Sequence, residues 1–284
     1  MKLSALVITY YPKVDETIEN IRSYIEQVDQ LIIWENTPKI DAGKYQIIIP
    51  EFENKIIRMT TGKNEFIAYP LNQAIYWAIE KGCPLLMSMD QDSSFAHKEQ
   101  LTSYIRNVTD CCNKDDSAAV FGVNTNGQYP QLKELKEVPW VITSGCIYKV
   151  NTIKDIGGFR EDYAIDCIDK EICFKARKSG YRCLLDTGCV LIHQFANITK
   201  SIFGKYHTSN YSPFRTYSIV CNHIILWKEY GQYMTKEHKK KFLNDYIFSR
   251  AVKIVLGEKE KMKKLFAIAM GVFDGLRNKR RKFS

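Results

Sequence analysis

Leu85-Leu86-Met87-Ser88-Met89-Asp90-Gln91-Asp92-Ser93 is the stretch from which the rest of the chain reads most directly. Its apolar start is short and unbroken, the pattern of a strand buried on both faces. Residues i and i+2 of a strand point to one side, so Asp90 and Asp92 are expected to point the same way where the strand runs out. Two carboxylates there suit a hard divalent cation, which takes oxygen ligands and shares itself with phosphate. The same residue types also make solvated turns and helix caps, and the surroundings decide between these readings.

Outward from that strand, residues 3–9 read as a first strand and 15–27 as a helix with Ile18, Ile21 and Ile25 at helical spacing. Residues 30–34, 45–49 and 56–59 read as strands, 69–81 as a helix closed by Gly82, and the central strand spans 84–89. Further on, 118–123 reads as a strand, 141–150 as one interrupted by Ser144-Gly145, 166–179 as a helix, and 183–193 as containing a strand. Helices follow from about Ser212. Strands alternating with helices predict an α/β fold with a mainly parallel sheet, in which ligands gather beyond the carboxyl ends of the strands.

Polar residues fall at those ends. Thr9, Tyr10 and Tyr11 follow the first strand; a hydroxyl and flat rings there can hold a nucleobase, or simply turn the chain around Pro12. Glu35, after the second strand, can accept from ribose hydroxyls or stand in a surface turn. Asn64 precedes a helix whose N-terminus favours anions, and it can also cap that helix. Residues 157–175 carry a Gly-Gly pair and a run of carboxylates at a helix start, where the dipole stabilises negative charge. Asp166 and Asp169 are three apart on one face, with Ile165, Ile168 and Ile172 fixing that face against a core. A carboxylate so held is a candidate general base. His193 ends an apolar strand; such a histidine is either a satisfied structural group or a further ligand for a cation at Asp92.

Composition narrows the class. The chain has 284 residues, 45% apolar and 26% charged, enough for a large core, which excludes disorder. Nine cysteines with no Cys-x-x-Cys pair read as reduced, mostly buried thiols of a cytoplasmic protein. The first residues read as a core strand rather than a signal peptide, and no apolar run approaches the roughly 20 residues of a membrane span. Net charge is +9, but residues 253–284 hold ten Lys/Arg against three Asp/Glu. The remainder is nearly neutral. That distribution argues against a nucleic-acid binder and for a local contact of the tail with something anionic.

Together these segments resemble the inverting family-two glycosyltransferases of the GT-A fold, in their bacterial rhamnosyltransferase-like branch. The resemblance rests on Val7 to Pro12, Trp34 to Thr37, Asn64 to Asn72, Met89-Asp90-Gln91-Asp92-Ser93, Thr143-Ser144-Gly145, Gly157-Gly158-Phe159, Ile165-Asp166 through Arg177, and His193, in that order over residues 3–230. It implies a GT-A domain over 1–211, with a nucleotide-sugar half at 1–95 and an acceptor half at 96–211, then a helical region over 212–284 with a basic tail. It further implies that Thr9, Tyr10, Glu35, Asn64, Asp90 and Gln91 bind the donor. Asp92 and His193 would ligate Mg²⁺ or Mn²⁺. Asp169 would be the base, and Ser144, Gly145, Asp166 and Glu171 would lie about the acceptor. The implied partners are a nucleotide-diphosphate sugar, rhamnose favoured, and a glycan or lipid-linked glycan. Two departures stand out: Glu35 where Asp is usual, and Phe66 and Pro70 where Gly and a small residue are usual.

Residues 258–284, basic at both ends of a short apolar segment, read either as a packed helix with a frayed end or as a helix lying on an anionic membrane surface, on its cytoplasmic face. A nucleotidyltransferase would also need two carboxylates and a metal, but not the 166–171 cluster or His193. A non-catalytic glycan-binding protein is the other alternative. The sequence assigns no oligomeric state.

Overall fold

The structure is a computed structural model, and it describes residues 1–132, 134–193, 199–200, 207–208 and 210–281. The chain forms two compact units, Met1–Glu161 with Ile172–Gln194, and Asp162–Glu171 with Phe195–Ser284. The boundary expected at 211 falls inside the second unit, and a ten-residue excursion around Asp166 and Asp169 joins that unit as well.

In the first unit the elements run β1 (Leu3–Thr9), α1 (Val14–Arg22), β2 (Gln30–Glu35), α2 (Lys39–Ala42), β3 (Ile56–Met59), α3 (Ala68–Glu80), β4 (Leu85–Asp90), β5 (Ser93–Phe95), α4 (Lys98–Lys114), β6 (Ala118–Thr125), β7 (Leu135–Glu137), β8 (Cys146–Lys149), α5 (Val150–Asp155), α6 (Ile168–Lys178) and β9 (Arg182–His193). The first turn of α6 belongs to the second unit. The strands make one sheet in the order β3-β2-β1-β4-β8-β6-β9-β5, with β7 against β9. The sheet is parallel from β3 to β4, as expected. Beyond β4 it is mixed: β8, β7 and β5 run antiparallel to their neighbours and only β6–β9 is parallel.

Alternation along the parallel strands builds the core. Leu3, Ala5, Val7, Leu31, Ile33, Leu85, Met87 and Met89 share one cluster with Ile21, Leu101, Tyr104 and Val108 of α1 and α4. Leu6, Ile32 and Leu86, in the alternate positions, are buried too, as a sheet covered on both faces requires. Register sets Thr9 beside Glu35 and Ile8 beside Asp90, so β1, β2 and β4 end at one level. Asn72 of α3 ties the Gly-Gly loop to that helix: its amide donates to the Phe159 carbonyl and to Glu161, and accepts from the Phe159 N–H.

Three expected elements differ. The helix expected over 15–27 stops at Arg22, where Ser23 donates its hydroxyl to the Asn20 carbonyl and accepts from the Phe95 N–H; a 3₁₀ turn follows over Ile25–Gln27. Residues 45–49 are not a strand: Ile47 and Ile49 are buried, but their backbone joins no ladder before Pro50 opens another 3₁₀ turn. Of 141–150 only Cys146–Lys149 pairs, because Gly145 has φ +75° and a side chain there would meet Val123 at 2.6 Å.

The second unit is mainly helical: α7 (Pro213–Tyr230), α8 (Lys236–Phe242), a π-helical turn (Leu243–Phe248), α9 (Ser249–Gly257) and α10 (Lys261–Leu276), with an antiparallel pair β10 (Thr199–Lys200) and β11 (His207–Thr208). Ser212 caps α7 by accepting from the Arg215 N–H, and Pro213 fills the first turn, where no N–H is needed. Gly271 and Gly275 let α10 run tight against α7; a Cβ at either would lie 2.9 Å from Tyr217 or Ile224. Arg250, Glu258 and Lys264 are buried as a linked set of ion pairs. None of the nine cysteines is in a disulfide. No described helix is long and apolar enough to cross a membrane.

Candidate functional site

At the carboxyl end of β4 the chain leaves the sheet at Asp90 and re-enters it at Ser93, so Asp92 stands in a two-residue turn rather than on the strand. Strand alternation therefore is not what brings the two aspartates together. The turn does so, with His193, which pairs with Ser93 across the β5–β9 ladder. The His193 Nδ1 lies 3.6 Å from Asp92 Oδ1, 3.9 Å from Asp90 Oδ2 and 2.6 Å from Ser93 Oγ. One ligand atom from each of Asp90, Asp92 and His193 lies within 4.8 Å of the others. Asp92 Oδ1 is shut off from solvent and accepts no hydrogen bond from any described residue. A buried carboxylate oxygen without a donor is costly unless something positive satisfies it. Two carboxylates and an imidazole are the oxygen and nitrogen donors that Mg²⁺ or Mn²⁺ accepts, so the residues present fit such an ion.

Neighbouring groups hold this turn. Gln91 grips the end of β1, accepting from the Tyr10 N–H and donating to the Tyr10 carbonyl, while Asn20 donates to the Gln91 carbonyl. Ser144 is buried and its hydroxyl accepts from the Asp90 N–H; the Gly145 N–H donates to the Ser88 carbonyl. These two, read from resemblance as acceptor contacts, sit enclosed and brace the end of β4. Asn126 holds His193, accepting from its N–H and donating to its carbonyl.

At the same level of the sheet, Tyr10 and Tyr11 are exposed with ring centroids 4.7 Å apart, and Tyr45 stands 5.3 Å from Tyr11. Thr9 is buried and its hydroxyl donates to the Trp34 carbonyl. Glu35 is half-buried beside it, its carbonyl taken by the Thr60 hydroxyl. Asn64 is not a helix cap: α3 begins after Ile67 with no side-chain cap, and Asn64 instead accepts from the Phe66 N–H. Phe66, at the position where the resemblance expects Gly, has φ +58°, the left-handed region that disfavours a bulky residue.

The carboxylates of the 157–175 segment lie in the second unit. Ala164, Asp166 and Cys167 all have positive φ, +35°, +65° and +68°, so the chain enters α6 through a strained loop. Asn222 of α7 holds it, donating to the carbonyls of Tyr163, Ile165 and Asp166 at 3.0–3.2 Å, and itself accepting from Arg280. Both oxygens of Asp166 accept from the Arg215 fork. Glu171 is fully buried and accepts from the Tyr230 hydroxyl at 2.9 Å. Asp166 and Glu171, read as acceptor contacts, are thus engaged within the unit as parts of its frame. Asp169 is half-buried in the first turn of α6, and its carboxyl is pushed above the ordinary aspartate value. Burial is the main cause and Asp166 adds to it, against the opposing pull of Lys170 and of nearby backbone N–H groups. His223 stacks against Phe242 and Tyr246, and burial pushes it down to about 3. It is therefore neutral, with Nδ1 placed to donate to the Ile219 carbonyl and Nε2 to accept from Lys170.

Sequence reading missed Asn222, His223, Arg215 and Tyr230. For the first two a signal existed: an Asn-His pair inside the apolar run 219–226 must find buried partners. For Arg215 and Tyr230 no local pattern marks the contact.

No family model matches the chain. A curated relative, dTDP-rhamnosyl transferase RfbF of Shigella flexneri, is 22% identical over 292 residues, covering 96% of this chain and 95% of that protein. Among solved structures, S. aureus TarS matches with TM-score 0.57 and 15% identity, covering 98% of this chain; the chain spans 49% of TarS. A crystal structure of TarS 1–349 holds UDP-GlcNAc. GalNAc-T7, solved with UDP, GalNAc and Mn²⁺, matches with TM-score 0.54 and 13% identity over 96% of this chain and 57% of its own. These likenesses show a GT-A fold, with the mixed α/β sheet described above.

Proposed function

We propose that this chain, built on the GT-A glycosyltransferase fold, transfers a sugar from a nucleoside-diphosphate donor to a hydroxyl of a glycan or lipid-linked glycan, with inversion at the anomeric carbon. The observation that carries the reading is the convergence of Asp90, Asp92 and His193 where β4 and β9 end, with Asp92 Oδ1 buried and without a donor among the described residues. The rhamnosyltransferase relative favours dTDP-rhamnose as donor.

Asp92 and His193 would hold Mg²⁺ or Mn²⁺, with Asp90 beside them. When bound, the ion supplies positive charge against the diphosphate that leaves. The chain's own residues do the remainder. Tyr10 and Tyr11 offer rings for the base, and Glu35 accepts from ribose or base. Asn64 shapes the loop before α3. Gln91, Ser144 and Asn126 keep the cation ligands in place, which counts because small misplacements at a reacting centre are expensive. Asp169 takes the proton of the acceptor hydroxyl. The hydroxyl oxygen bonds to the anomeric carbon as that carbon's bond to the diphosphate oxygen breaks, and the electron pair leaves with the nucleoside diphosphate. Asp169 must be ionised for this, and its raised pKa also makes it a stronger acceptor of the proton.

A panel of dTDP- and UDP-sugars incubated with the chain and Mn²⁺ tests the assignment. The expected result is release of dTDP from dTDP-rhamnose, stopped by a chelator. Release of pyrophosphate when the chain is given dTTP or UTP with a sugar 1-phosphate would assign a nucleotidyltransferase, and binding of an added glycan with no turnover of any sugar nucleotide would assign a binding protein.

A further inference from the structure

The last helix carries two opposite faces. Lys264, Ala267, Ile268, Gly271, Asp274 and Gly275 are buried, and the two glycines set that side of α10 against α7. On the other side Met262, Phe266, Ala269, Phe273 and Leu276 follow one another at intervals of four, three, four and three residues, the spacing that keeps them on a single face. Met262 is 78% exposed, Phe266 64%, Phe273 45% and Leu276 60%. The preceding segment adds exposed Phe248, Val252 and Val255, again four and three apart. Isolated exposed apolar residues need no explanation, but a continuous stripe of large ones does.

The charges around the stripe select its occupant. Lys259 just before α10 and Lys261 at its first position stand exposed, as do Arg277 and Lys279 after it. The Arg277 guanidinium lies 3.9 Å over the Phe273 ring. The acids of this segment are already committed: Glu260 to Lys263, Glu258 to Arg250 and Lys264, Asp274 to Arg281. A second copy seated on the same stripe, parallel or antiparallel, would bring basic ends against basic ends. Anionic lipid headgroups supply the missing complement, with apolar side chains entering the interface and cations resting on phosphates. The sixteen residues of α10 make roughly 24 Å of helix, too short to span the ~30 Å hydrocarbon core, so the helix lies in the surface.

We propose that the exposed face of α10 docks this protein on an anionic membrane surface. The reading goes beyond the proposed transfer reaction and does not depend on it. The experiment is flotation of the full chain with vesicles of phosphatidylcholine and phosphatidylglycerol, against vesicles of phosphatidylcholine alone. The variants are Phe266→Glu with Phe273→Glu, and Lys259→Glu with Lys261→Glu, all at exposed positions; circular dichroism checks that they fold. The wild type is expected to float with the mixed vesicles only, less so at high salt. The aromatic variant is expected to partition at least roughly tenfold more weakly, since each buried aromatic is worth that much or more, and the lysine variant also more weakly. Three results would each overturn the proposal: wild type that stays down with mixed vesicles, either variant floating as wild type does, or wild type in sedimentation velocity forming a dimer that the aromatic variant abolishes. The last would give the face to a second copy.

Discussion

Two carboxylates of this chain sit in opposite electrostatic situations. Asp92 has one oxygen shut from water with no donor among the described residues, beside a histidine and a second aspartate, an arrangement that favours a cation. Asp169 is held in surroundings that favour its neutral form. That has a sign for stability. Between the ordinary aspartate value of 3.8 and the raised folded value, the folded state keeps a proton that the unfolded state has lost. Stability therefore falls as pH rises through that window and stays lowered above it. Asp169→Asn removes the penalty, so thermal melts at neutral pH should show the variant as stable as wild type or more so, with the difference vanishing in acid. Turnover should fall by roughly 10²–10⁴-fold, the share of a positioned base, while donor binding survives. The acid limb of wild-type turnover should lie above the ordinary aspartate value. A variant that melts lower at neutral pH and turns over normally would make Asp169 structural.

At the scale of elements, one helix disciplines the loop that carries this carboxylate. Three non-glycine residues with left-handed φ cost of the order of 1–2 kcal/mol each; α7 offsets this through the Asn222 amide, which reaches three loop carbonyls. Asn222→Ala should lower stability in denaturant titrations by roughly 1–3 kcal/mol and reduce kcat, while leaving donor affinity by calorimetry unchanged. Unchanged kcat would limit Asn222 to stability. The Asn-His pair in the apolar run marked Asn222 as needing buried partners, but which partners was not legible locally, because the contacts join residues 56–59 positions apart. The parallel half of the sheet was legible because Leu3–Thr9, Gln30–Glu35 and Leu85–Asp90 are apolar runs bounded by polar ends. Residues 45–49 misled for the same reason: Tyr-Gln-Ile-Ile-Ile has the composition of a strand, yet Ile47 and Ile49 reach the core from a backbone that joins no ladder. The mixed pairing beyond β4 was hidden because a strand's direction is set by what it meets, not by its own residues.

For the molecule as a whole, the fold places Thr9, Glu35 and Asp90 at the level where β1, β2 and β4 end, with Tyr10 and Gln91 next in the chain, the usual ligand position of such sheets. The carboxyl pair and the histidine were readable in sequence, though for a partly different reason: a turn, not strand alternation, unites Asp90 with Asp92, and the β5–β9 ladder brings His193 to them across 100 residues. The account rests on that trio holding a divalent cation for a diphosphate. Calorimetric titration of dTDP into the chain with Mn²⁺ and with EDTA, repeated on Asp92→Ala, tests this most directly. Binding should be strong with Mn²⁺, weaker with EDTA, and in Asp92→Ala as weak with Mn²⁺ as without it. Equal affinity in Mn²⁺ and EDTA, or an Asp92→Ala variant that keeps its full response to Mn²⁺, would contradict the account.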